Sequence, residues 1–146
     1  ERSLERHRAG LTRALAGARG DLRAQLMAAM RWLLSQPTMN LERMMTSDFP
    51  ALPRRIAARL ERRVYECLHG PLREALNEAE RAGQARRVHA DLIAGALLSW
   101  ANAIGFSTPV HATRTPPAEA LASMLVDVLL LGLLPREAEP TPGGAT

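Results

Sequence analysis

The chain has a single cysteine, no lysine, and only two Trp, two Phe and one Tyr. One cysteine, Cys67, excludes an internal disulfide framework and gives no argument for secretion. Scarce aromatics, with no β-branched runs of period two, argue against a sheet. The first residues are charged at Glu1, Arg2, Glu5, Arg6 and Arg8 and hold no apolar core of a signal peptide, so the expected location is cytoplasmic. A long apolar run is missing too. The greasiest segment, residues 118–134, falls short of the ~20 residues that a bilayer requires. It also holds Glu119 and Asp127, so no membrane span is expected.

What is present is alanine, leucine and arginine. Hydrophobic residues make up 47% of 146, enough for one domain that buries roughly two thirds of its unfolded surface. The pattern predicts an all-α helical bundle of six or seven helices. The net charge is +4, and all 19 basic residues are Arg. Arginine without lysine is what a GC-rich coding sequence produces, so the excess by itself does not mark a nucleic-acid surface. Residues 1–35 carry seven Arg against three acids and residues 88–146 two against five, which makes the start of the chain the basic end. No aromatics are interleaved with those arginines, so a single-strand or RNA platform has little support.

In order, residues 1–18 read as a helix with Leu4, Leu11, Leu15 and Ala18 on one face. Gly17 and Gly20 break it, and Asp21 caps a second helix that ends before Pro37. Thr38 is a candidate cap for a short helix over residues 39–46, closed by Ser47, Asp48, Phe49 and Pro50. Pro53 opens the longest periodic run, residues 54–81. Pro71 lacks a donor and crowds residue 67, which predicts a kink or break near His69. Gly83 supplies the stop. Two very apolar helices follow within residues 88–134, separated by an irregular stretch at 107–115. Residues 135–146 read as a disordered tail.

The apolar pair is the expected organiser. On the last helix Leu121, Leu125, Val128 and Leu129 form a stripe, and Met124, Leu131 and Leu133 lie off it, so a single neighbouring layer does not cover them all. The missing cover is most simply a second copy, which predicts a homodimeric four-helix bundle. Its expected interface is Leu97, Trp100, Ala101, Leu121, Leu125, Val128 and Leu129.

Chemistry-bearing motifs are weak. Glu66 and His69 have the Glu-x-x-His spacing of di-iron bundles, but no second copy exists. His7, His69, His89 and His111 show no zinc spacing with Cys67. There is no nucleophile elbow and no phosphate-cradling glycine loop, so neither an enzyme nor a cofactor or metal is expected. The adaptable and half-polar residues Met27, Met30, Trp32, Met44, Met45, Tyr65, His69 and Trp100 come from different helices. They are the candidate lining for a small apolar ligand, and Trp32 and Tyr65 are expected to face an internal cavity.

Laid out in this way, residues 1–134 resemble the C-terminal regulatory domain of the TetR family of transcriptional regulators. The resemblance is carried by the helix ending at Pro37 and by Leu41-Glu42-Arg43-Met44-Met45 followed by Phe49-Pro50-Ala51-Leu52. Glu80-Arg81-Ala82-Gly83-Gln84 and the closing run from Ala122 to Leu133 also carry it. It implies a ligand-binding, dimerising domain, with DNA, in most cases for repression, held only through a helix-turn-helix domain that residues 1–146 do not contain. That domain is expected ahead of residue 1. The competing readings are a stand-alone helical adaptor for another protein and, behind it, a metal-dependent bundle enzyme using Glu66 and His69.

Overall fold

Wherever helical periodicity falls on described residues, the chain folds as helix. The computed structural model describes residues 2–36, 43–106 and 116–133, and among them forms an all-α bundle with no strand. The six α-helices are α1 (Arg2–Ala16), α2 (Leu22–Ser35), α3 (Arg54–Val64), α4 (Gly70–Arg81), α5 (Ala90–Phe106) and α6 (Ala118–Leu133). Two wide turns of π type, Met44–Asp48 and Tyr65–His69, complete it. The expected cap at Thr38, the separator at 107–115 and the tail lie outside the described residues.

Local chemistry sets the helix ends. The Asp21 carboxylate accepts from the Ala24 N–H at 3.0 Å and satisfies a first-turn donor of α2. Gly83, at φ 71°, closes α4: its N–H donates to the Glu80 carbonyl at 3.0 Å and the Gln84 N–H to the Ala79 carbonyl at 2.9 Å. This double bond set with a left-handed glycine ends the helix without strain. Gln84 then reaches back to the α1–α2 turn. Its side-chain oxygen accepts from the Leu22 N–H at 3.2 Å and its amide donates to the Gly20 carbonyl at 2.7 Å.

The run from Arg54 to Arg81 does not break at Gly70-Pro71. It widens instead. The Gly70 N–H donates to the Tyr65 carbonyl, five residues back, so the backbone makes one π turn and continues into α4. Pro71 lacks an N–H, and the wider turn relieves the crowding its ring would impose on residue 67.

α2 is the central element and packs against α1, α4, α5 and α6. Its sequence allows this because it is apolar on more than one side: Leu22, Leu26, Met27, Ala29 and Met30 are buried, and Trp32, Leu33 and Leu34 partly so. The expected organiser, the α5–α6 pair, is less tightly joined than either partner is to α2. α6 lies antiparallel to α2, fixed by Arg23–Asp127 at 2.9 Å and Arg31–Glu119 at 2.6 Å. Such exposed ion pairs add little stability, so their main effect is on register.

α6 turns Ala122, Val126 and Leu129 inward, one stripe at helical spacing. Met124 (61% exposed), Val128 (62%) and Leu131 (78%) face out, and Leu121 and Leu125 are half-buried between the two stripes. The expected interface therefore divides. Leu97, Ala101 and Leu129 are buried inside the protomer and Trp100 is half-buried, whereas Val128 is free to meet a partner.

Candidate functional site

Tyr65 and His69 sit at the two ends of the second π turn. The wide turn keeps their rings stacked, with centroids 5.1 Å apart and planes 18° from parallel. Tyr65 is anchored at its hydroxyl, which donates to the Asp91 carboxylate at the start of α5 and accepts from Arg73 of α4 at 3.1 Å. Arg73 also lies 3.8 Å from Asp91, and its guanidinium carbon is 5.6 Å from the Tyr65 ring centre. The bond to Asp91 is the main cause holding the phenol above its usual pKa, and burial adds to it. Tyr65, His69, Arg73 and Asp91 thus form one network joining the π turn, α4 and α5.

His69 is half-buried and its Nδ1 has no hydrogen-bond partner. Burial holds its pKa below the ordinary 6.5, and Arg73 lowers it further; the Asp91 carboxylate and backbone oppose both. The folded protein therefore protonates this imidazole less readily than the unfolded chain, which takes up its proton near 6.5. The stability that depends on the neutral ring is complete above the unfolded value and drains away as pH falls below it. Thermal melts between about pH 7 and pH 5 should fall more steeply for the wild type than for His69→Phe. Parallel slopes would clear His69 of the effect.

Beside this network lies a groove of about 410 Å³ with mostly apolar walls, lined by Met45, Glu61, Arg62, Val64, Tyr65 and His69. Three of the eight candidate ligand residues, Met45, Tyr65 and His69, meet there. Glu61, Arg62 and Val64 join them, and no sequence signal singled those three out. Met44 is half-buried on the neighbouring π turn. Met27 and Met30 are core fillers of α2, and Trp100 is half-buried on α5.

Trp32 is elsewhere. Its indole covers Gly10 and meets the His7 ring edge-on, at 5.4 Å and 88°. His7 is buried and is held by a 2.7 Å hydrogen bond between its Nδ1 and the Ser3 carbonyl. Trp32 therefore packs against α1 and does not line the groove, whereas Tyr65 lines it and reaches the surface. Cys67, between Tyr65 and His69 in sequence, is fully buried, and burial raises its thiol pKa, which keeps it protonated and unreactive.

Among the described residues, no group of three or more His, Cys, Asp or Glu side chains is placed to hold a metal ion. No helix among them is long and apolar enough to cross a membrane. No family model, curated protein or solved structure matches the chain.

Proposed function

We propose that this chain is the ligand-sensing, homodimerising regulatory domain of a TetR-like cytoplasmic transcriptional regulator, a repressor. The observation that carries the reading is the stripe Met124, Val128 and Leu131 on α6, an apolar surface left over once the opposite face has packed on α2. Leu92 of α5, 70% exposed, adds to the apolar surface left on the last two helices. A second copy covers such a stripe by two-fold symmetry, because the same surface serves both partners. An obligate interface of this kind buries roughly 2,000 Å² or more of mostly apolar surface.

The groove beside Tyr65 and His69 takes the effector, a small apolar molecule. The π turn that forms its wall also packs on α1, and Glu5 of α1 is paired with Arg63 just ahead of that turn. A ligand that prefers one packing of this turn shifts α1 by no more than its differential affinity for the two states. A helix-turn-helix domain joined ahead of α1 would be spaced on DNA by that shift, since recognition helices must sit about 34–36 Å apart.

Sedimentation equilibrium at tens of micromolar tests the dimer. The wild type should give twice the 15.9 kDa chain mass. Val128→Arg combined with Leu131→Arg should give the single mass with helical content intact, because charge buried in an apolar seam is strongly unfavourable. A dimer that survives both changes would move the interface to another face. A monomeric wild type would favour the helical adaptor, whose stripe docks on a different protein.

A further inference from the structure

Gln25 is the one polar side chain among the buried residues of α2, and it is 6% exposed. A carboxamide taken out of water costs stability unless its polar atoms are bonded. Half of that need is met, because Nε2 donates to the Leu15 carbonyl at 3.2 Å. A carbonyl only accepts, so this bond fixes the amide nitrogen on the α1 side and turns the oxygen away from it. Oε1 has no hydrogen-bond partner among the described residues, and it is not sealed inside the core.

Gln25 opens onto a trough. α1 and α4 lie side by side and run in the same direction, since Glu5 meets Arg63 ahead of α4 and Arg19 meets Glu78. Small side chains at Ala9, Thr12 and Ala16 of α1, facing Gly70, Pro71 and Ala75, leave space between the two helices. The half toward the end of α1 holds about 380 Å³, and Gln25 lines it together with Arg19, Glu74, Glu78 and Arg81.

The charges of that half balance. Arg19 and Glu78 pair at 3.6 Å, both well exposed, and Arg81 donates from Nε to the Asn77 carbonyl at 3.2 Å. Glu74 has no ion-pair partner among the described residues. An anion entering here would face two carboxylates, and a cation two guanidiniums. A purely apolar molecule would strip water from all four and return nothing. A molecule that carries both charges suits the set.

We propose that this half of the trough binds a small zwitterion, an α-amino acid with an aliphatic side chain. Its ammonium takes Gln25 Oε1 and the Glu74 carboxylate as acceptors. Its carboxylate takes donors from Arg19 and Arg81, whose planar forks match carboxylate oxygens and keep N–H groups to spare. Buried Leu15, Pro71 and Ala75 offer the aliphatic chain an apolar floor. The site shares no lining residue with the groove at Tyr65 and His69, so it stands whether or not that groove takes an effector.

An NMR titration of the ¹⁵N-labelled chain with L-leucine provides the test. Leucine should bind with a Kd of about 0.1–1 mM, the range open to a ligand of about nine heavy atoms. The Thr12 and Ala75 amides and the Gln25 side-chain amide should shift, and those of Tyr65 and His69 should not. 4-Methylpentanoate, which is leucine without its ammonium, and 3-methylbutylamine, which lacks the carboxylate, should each bind about tenfold more weakly or worse. Gln25→Met keeps the length and removes the acceptor, and should weaken leucine binding about tenfold. Glu74→Gln, a surface change, should weaken it about fivefold and decides the matter alone if Gln25→Met does not fold. Glu80→Gln, on the same helix but off the trough, should change it less than about twofold. Absence of shifts at 20 mM leucine would overturn the proposal. So would either half-molecule binding as tightly as leucine, equal losses in Glu74→Gln and Glu80→Gln, or shifts confined to Tyr65 and His69.

Discussion

Gly10→Ala is expected to destabilise the protein by about 1–3 kcal/mol, although alanine is the better helix former by about 1 kcal/mol. A Cβ at position 10 would fall 2.1 Å from Cζ2 and 2.2 Å from Cε2 of Trp32. No pair of carbon atoms tolerates that approach, so the indole has to leave its place on α1. In leaving, it abandons the edge-on contact with His7 and exposes part of the α1–α2 seam. The sign should reverse when the obstacle is removed: in a Trp32→Ala background, Gly10→Ala should stabilise by a few tenths to about 1 kcal/mol. Urea melts of the four proteins complete the cycle. A Gly10→Ala cost that persists without the indole would show that glycine is needed there for some other reason.

The second large effect separates two leucines that look alike as sequence. Leu72→Ala should cost about 2–5 kcal/mol, because Leu72 is fully buried where α4 meets its neighbours and its loss leaves a cavity. Leu92→Ala should cost no more than about 0.5 kcal/mol in the protomer, since that side chain stands in solvent. Denaturant melts at a concentration low enough to hold the chain monomeric make the comparison. Similar costs at both positions would mean that Leu92 is buried in the form that unfolds.

These two leucines also show where sequence legibility ends. Helix ends were readable because their causes are local: Asp21 bonds three residues ahead, Gly83 supplies its own left-handed turn, and Pro53 opens α3. The all-α class was readable from period alone. The outward stripe of α6 was not, because Leu125, Val128 and Leu129 are equivalent until the position of α2 is known, and Arg23 and Arg31 fix that position from far away in sequence. Three of the eight candidate ligand residues gathered at one groove. The others were drawn off by contacts with no sequence signature, of which Trp32 on Gly10 is the plainest. Charge counted by segment pointed to the first residues of the chain.

The π turn at Tyr65–His69 has a geometric consequence for everything before it. A regular helix advances about 100° per residue, so the additional residue held in a wide turn offsets the phase of α3 from that of α4 by about that angle. The exposed side chains of Arg55, Arg59 and Arg62 and the groove wall at Glu61, Arg62 and Val64 point where they do because of that offset. Removing one residue, such as Glu66, would close the turn to α-helical pitch, with Pro71 then crowding the residue four before it, and leave the apolar face of α4 in place. The arginines would then swing about a quarter turn around the helix axis, with no side chain altered in chemistry. One backbone residue thus acts as the angular setting between the buried half of this long helix and its exposed half.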